Sequence, residues 1–140
     1  MMKNWLVIDV QVGSTGKGSI AGYLSRKWHP ESVVCNFGAN AGHTFVFADG
    51  TSVMTQQLPT GIISDSVKNI FIGPGSIIDP EILDRELHTF HEFVRGKNQI
   101  IHPRAAVITQ QCRDIEKQRL NCISSTCKGV GAAMSEKIFR

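Results

Sequence analysis

Residues 5 to 20 read Trp5-Leu-Val-Ile-Asp-Val-Gln-Val-Gly-Ser-Thr-Gly-Lys-Gly-Ser-Ile20, and this stretch decides the fold. Its first half is apolar and β-branched, which reads as a buried strand over Trp5–Val10. Its second half is a glycine turn opening a helix at Lys17, with Ile20, Leu24 and Trp28 at helical spacing. Strand, glycine turn and helix in that order describe a phosphate cradle. The backbone amides of Gly13 to Gly18 at a helix N-terminus form an anion nest, and Lys17 adds a point charge. The match to the usual phosphate-loop pattern is partial, because Gln11 sits where its first glycine belongs. The front of the turn offers only the hydroxyls of Ser14 and Thr15, and a serine hydroxyl is not a general base unaided at neutral pH.

Outward from the cradle, strands and helices alternate. Ser32–Phe37 is β-rich and leads into the loop Gly38-Ala-Asn-Ala-Gly-His43. Thr44–Phe47 and Thr51–Gln56 flank Asp49-Gly50, a strong hairpin signal. Asn69–Ile72 makes another short strand. A helix follows, with Asp79 as its cap, Pro80 at its first position and Leu83, Leu87, Phe90 and Val94 on one face until Gly96. Gln99–His102 reads as a strand and Ile108–Leu120 as a helix. This pattern predicts an α/β fold, a mostly parallel central sheet with the phosphate loop after the first strand, plus one β-hairpin. The final segment, Ser124-Ser-Thr-Cys-Lys-Gly-Val-Gly131, is again rich in glycine and hydroxyls, and no terminal element is expected to close the sheet. The 140 residues therefore read as an incomplete fragment of a larger single domain.

Composition narrows the function classes. A share of 41% apolar and 19% charged residues is ordinary for a globular chain, and 15 basic against 12 acidic side chains leave a charge of only +3. No basic run with interleaved aromatics tracks a nucleic acid. No stretch approaches the ~18 apolar residues of a membrane span, so a cytoplasmic protein is expected. Cys35, Cys112, Cys122 and Cys127 lack zinc or redox spacing and read as reduced thiols. Trp5 and Trp28 read as core or core-edge residues.

A second loop carries chemistry. Asn40-Ala41-Gly42-His43-Thr44 follows a strand that is expected to neighbour the first, so it can face the cradle. It offers an amide, a glycine carbonyl for a metal and an imidazole that can donate a proton or bind a phosphoryl oxygen. The other histidines read as structural: His88 and His91 share a helix, and His29 and His102 each precede a proline.

The two loops together resemble the adenylosuccinate synthetase family, which carries a Gly-Asp-Glu-Gly-Lys-Gly phosphate loop and an Asn-Ala-Gly-His-Thr loop in this order. The likeness continues in Leu58-Pro-Thr-Gly-Ile62, in Ile72-Gly-Pro-Gly75 followed by Asp79-Pro80, and in Ser125-Thr126-Cys127-Lys128-Gly129-Val130-Gly131. It implies a ligase in which a nucleoside triphosphate phosphorylates O6 of a purine monophosphate and the L-aspartate amine displaces the phosphate. Gly13, Ser14, Thr15, Gly16, Lys17, Gly18 and Ser19, with Gly42, His43 and Thr44, would hold the triphosphate. Ser14, Asn40, Ala41, Gly42, His43, Ser125, Thr126 and Arg140 would meet the purine monophosphate, the arginine by reaching into the partner subunit of a homodimer. Ser14, His43 and Lys17 would serve the reaction, and Ser14 with the Gly42 carbonyl would help hold Mg²⁺.

Ser14 and Thr15 depart from the family's acidic pair, and that departure resembles the phage branch that acts on dGMP with ATP or dATP in place of IMP with GTP. The expected setting is then the host cytoplasm. Two alternatives stay open: an ordinary family member acting on IMP with GTP, and a phosphate-loop nucleotide-binding module that makes no C–N bond.

Overall fold

The computed structural model describes residues 3–8, 10, 11, 13–120 and 127–139. The elements follow chain order. Helix α1 is Lys17–Trp28; strands β1 (Ser32–Cys35), β2 (His43–Val46) and β3 (Ser52–Thr55) precede a 3₁₀ turn at Thr60–Ile63. After β4 (Asn69–Ile72) and β5 (Ile77–Ile78) come α2 (Pro80–Thr89), α3 (His91–Val94), β6 (Asn98–Ile101), β7 (Ala106–Val107), α4 (Gln110–Leu120) and α5 (Val130–Ile138).

The main sheet is parallel, in the order β1-β4-β6, with Ser32 opposite Asn69 and Asn69 opposite Asn98. β2 and β3 form the antiparallel hairpin, and β5 pairs in parallel with β7. The hairpin turn is local chemistry: the Asp49 carboxylate accepts from the Thr51 amide and hydroxyl at 2.9 and 2.7 Å, and Gly50 takes φ +86°. The helix at Pro80 starts as its sequence dictates, with Asp79 accepting from the Glu81 amide at 3.1 Å. It breaks at Phe90, so α3 continues the same apolar face with Val94 in the core.

The core lies between the main sheet and its helices, around Leu58, Ile62, Val67, Ile70 and Ile72. A second cluster joins Ala39, Ile77, Ile108, Cys112 and Ala133. The three described cysteines are free thiols. Burial first, and the Glu86 carboxylate second, push the Cys35 thiol up to about 12. No helix among the described residues is long and apolar enough to cross a membrane.

Three expectations are corrected. Residues 3–8 form no strand, and Leu6, Ile8 and Val10 are exposed; an apolar run becomes a strand only where a ladder partner receives it. Trp5 and Trp28 lie outside the core and stack on each other, their ring centroids 4.0 Å apart. The buried face of α1 is not Ile20, Leu24 and Trp28 but the small residues Gly18, Gly22 and Ser25. A Cβ on Gly22 would stand 2.5 Å from the Phe45 ring, and the Ser25 hydroxyl donates to the Gly61 carbonyl at 2.9 Å, so the helix sits too close to its neighbours for larger side chains. The glycine-rich end segment leads into a helix, α5, capped at Gly129, to which the sequence reading assigned no element, and among the described residues no strand follows β7.

Candidate active site

The cradle is built from the glycines upward. Gly13 and Gly16 hold φ +111° and +80°, left-handed conformations that a side chain would strain. Gly16 caps α1 with no side chain to accept from the first turn, and that turn carries no acidic residue. The helix N-terminus therefore presents positive potential and N–H groups to an anion, as the nest reading requires.

The second loop is fastened directly to this helix. The Ser19 hydroxyl donates to the Thr44 carbonyl at 2.8 Å, and the Thr60 hydroxyl donates to the Gly18 carbonyl at 2.9 Å. Gly18 is buried against the start of β2: a Cβ there would stand 2.8 Å from the His43 Cβ and 2.9 Å from the Thr44 nitrogen. The chain before β2 is turned by the Ala41 amide donating to the Gly38 carbonyl at 3.0 Å. Gly13–Ser19 and Asn40–Thr44 thereby line one cleft of about 430 Å³.

His43 occupies the junction. It is 8% exposed, its ring lies 3.9 Å from the Phe37 ring, and its Nε2 is buried with no hydrogen-bond partner within the described chain. Burial, and then the nearby Lys17 ammonium, lower its pKa from the ordinary 6.5. At neutral pH the imidazole is therefore uncharged, with a ring N–H to donate rather than a full proton to lose.

Among the described residues the cleft is lined by backbone N–H groups, hydroxyls, one amide, one imidazole and one ammonium, and by no carboxylate. Among the described residues, no group of three or more His, Cys, Asp or Glu side chains could hold a metal. Such a lining suits a polyanion. A magnesium ion fits here only if phosphate oxygens supply most of its ligands, with neutral oxygens such as the Ser14 hydroxyl and the Gly42 carbonyl adding to them.

Of the residues singled out in the sequence, Gly13 to Ser19 and Asn40 to Thr44 come together in this one cleft. Ser125, Thr126 and Arg140 lie outside the described residues. The sequence reading missed the supports. Phe37, under the His43 ring, was read only as the end of a strand. Glu86 is a buried carboxylate that accepts from the Gln57 and Leu58 amides at 3.0 and 2.9 Å, and from Gln56 as well, fixing the turn that carries Thr60 to Gly18. Its position three residues after Leu83 on the apolar face was the available signal.

Comparison with known proteins accords with this architecture. A family model described as adenylosuccinate synthetase matches residues 6–140. N6-succino-2-amino-2'-deoxyadenylate synthase of Salmonella phage PMBT28 is 41% identical over 138 residues, covering 99% of this chain and 38% of that protein. Adenylosuccinate synthetase of Methanococcus vannielii is 34% identical over 139 residues, covering 96% of this chain and 40% of that one. The solved structure of Cyanophage S-2L succinoaminodeoxyadenylate synthetase, bound to dGMP and dATP as an energy donor, superposes with a TM-score of 0.80 at 41% identity, over 95% of this chain and 37% of that chain. This chain thus spans well under half the length of each. With its parallel sheet, hairpin and paired loops, the chain belongs to the adenylosuccinate synthetase family.

Proposed function

We propose that the protein joins L-aspartate to C6 of dGMP at the expense of ATP or dATP, giving 2-amino-2'-deoxy-N6-succinyladenylate. This chain would be the N-terminal nucleotide- and purine-binding part of the domain. The observation that carries the reading is the single cleft in which a phosphate nest faces Asn40 and His43 while Ser14 stands where the family keeps a carboxylate. The relatives named for the dGMP-derived product, at about 41% identity against 34% for the named adenylosuccinate synthetase, support the same choice.

In the first step O6 of the purine attacks the γ-phosphorus and the nucleoside diphosphate leaves. In the second the aspartate amine attacks C6, the C6–O6 bond breaks and inorganic phosphate departs. The Gly13–Ser19 nest and Lys17 hold the triphosphate and spread the charge of the transferring group. His43, kept neutral, donates a ring N–H to charge gathering on O6 or on the phosphoryl oxygens. Asn40 and Ala41, with Ser125, Thr126 and a partner subunit's arginine at position 140, orient the monophosphate in a homodimer. Mg²⁺, held chiefly by the phosphates with Ser14 and the Gly42 carbonyl, would neutralise phosphate charge. Because Ser14 is neutral and short, it leaves room for the guanine 2-amino group, and the N1 proton passes to water or a phosphate oxygen. The setting is the cytoplasm of a phage host.

The test is turnover by the full-length protein of dGMP or IMP with aspartate and ATP, dATP or GTP. Succinyl adduct from dGMP supports the reading. Turnover of IMP alone returns the protein to ordinary adenylosuccinate synthesis, and triphosphate hydrolysis indifferent to aspartate and monophosphate makes it a nucleotide-binding module.

A further inference from the structure

The inner face of the β2–β3 hairpin changes character along its length. Phe45 and Val53 stand opposite each other and are buried in the core, whereas the next inward pair, His43 and Thr55, is polar. Thr55 is 0% exposed and its hydroxyl has no hydrogen-bond partner among the described residues; Gln57 is 4% exposed and its amide nitrogen has none either. Burial alternates through Val53, Thr55 and Gln57, so Gln57 projects to the same side as Thr55. Its backbone carbonyl accepts from the Cys35 thiol at 3.1 Å, and Phe37, two residues on from Cys35, carries the His43 ring at 3.9 Å. His43 Nε2, Thr55 Oγ1 and Gln57 Nε2 are thus gathered behind the cleft that His43 lines. A valine at position 55 would fill the same space with no hydroxyl to satisfy, so this hydroxyl costs stability unless it is used.

Donors and acceptors in this cluster balance in only one way. The Gln57 amide nitrogen only donates, the Thr55 hydroxyl both accepts and donates, and His43 Nε2 accepts or donates according to the tautomer. With a proton on Nε2, all three groups are donors and only the Thr55 oxygen accepts. With Nε2 bare, Gln57 donates to Thr55, Thr55 donates to His43, and each group finds a partner. A bridging water adds donors and acceptors equally and leaves that balance unchanged. We propose that Thr55 and Gln57 are positioning residues for His43, holding Nε2 as an acceptor through a buried amide–hydroxyl relay so that the ring proton sits on Nδ1, the nitrogen left to serve the cleft. This rests on the reading that His43 donates to O6 or to a phosphoryl oxygen, and it names the nitrogen that donates.

The test is nitrogen NMR of the His43 ring in the full-length protein without substrate, at a pH where the ring is neutral, its signals assigned by their loss in His43→Asn. Steady-state kinetics of wild type, Thr55→Val, Thr55→Ser and Gln57→Leu accompany it. Wild type should show a bare, pyridine-like Nε2 and a protonated Nδ1. Thr55→Val should move the ring toward the Nε2–H tautomer and lower kcat about 10-fold or more, with the triphosphate KM within about 2-fold. Gln57→Leu should act in the same direction to a smaller extent, and Thr55→Ser should keep the wild-type tautomer and most of kcat. A protonated Nε2 in wild type overturns the proposal, and this measurement stands even if a variant fails to fold. A wild-type tautomer in Thr55→Val overturns it too, whatever happens to kcat, because lost activity without a tautomer change marks a merely structural role. Should the wild type make no succinyl adduct, the ligase reading fails, while the tautomers of wild type and Thr55→Val still judge the relay.

Discussion

Gly18 and His43 touch through backbone: a methyl group on Gly18 would lie 2.9 Å from the His43 Cα and 2.9 Å from the Thr44 nitrogen. The phosphate nest and the histidine loop are separated by more than twenty residues of chain, yet they meet at a place where no side chain fits. Gly18→Ala is therefore expected to push α1 away from β2, at a cost of about 1–3 kcal/mol. Because the two loops line one cleft, the KM for the triphosphate should rise with the loss of stability. Chemical denaturation and steady-state kinetics check both, and a variant with native stability and native triphosphate KM contradicts the account.

The lowered pKa of His43 gives a pH dependence whose sign is fixed. Its folded value lies below the unfolded one, so as pH falls the unfolded chain takes up the proton first. The stability associated with the neutral imidazole is present above about 6.5 and is lost as the pH falls through the folded value. Lys17→Met removes the smaller of the two causes and should move the pKa part of the way back toward 6.5, leaving burial to hold it below. Titration of the His43 ring by NMR measures this directly. A wild-type value at or above 6.5, or no upward movement in Lys17→Met, would be inconsistent with the neutral donor.

Glu86 is the structural counterpart. Its buried carboxylate serves three consecutive amides, Gln56 to Leu58, ahead of the Thr60 hydroxyl that binds Gly18. Glu86→Ala leaves those amides buried without an acceptor, at about 1–3 kcal/mol for each one that water does not reach. A loss of roughly 3 kcal/mol or more in urea denaturation is expected, and a loss below about 1 kcal/mol would mean that the turn finds other acceptors.

What was legible in the sequence was local chemistry. Asp49-Gly50 specified its own turn, and Asp79-Pro80 its own helix start, because cap and turn partners lie within a few residues. The two glycine loops were legible for the same reason. Trp5–Val10 was not, because apolarity announces burial without naming the partner strand. The face of α1 was misread because spacing of large apolar residues competes with close backbone approach, and Gly18 and Gly22 won. α5 was missed because its cap, the Glu116 carboxylate, comes from another helix, and Gly129 and Gly131 in sequence look like loop.

Ser14 carries the sharpest expectation for substrate choice. It is exposed at the mouth of the cleft, where a longer charged side chain can be carried without repacking the core. If its small neutral side chain admits the guanine 2-amino group, Ser14→Asp narrows that space and supplies a proton acceptor and a charged magnesium ligand suited to hypoxanthine. The ratio of kcat/KM for dGMP to that for IMP should then fall. Positioned proton acceptors are worth about 10²–10⁴-fold in rate, so the gain on IMP should be well outside experimental scatter even if geometry recovers only part of it. Stability should change little, since the substituted position is exposed. Measuring both monophosphates in full-length wild type and Ser14→Asp under saturating aspartate and triphosphate separates selection from general damage: equal losses on dGMP and IMP, or an unchanged ratio, would mean that the purine is chosen elsewhere in the protein.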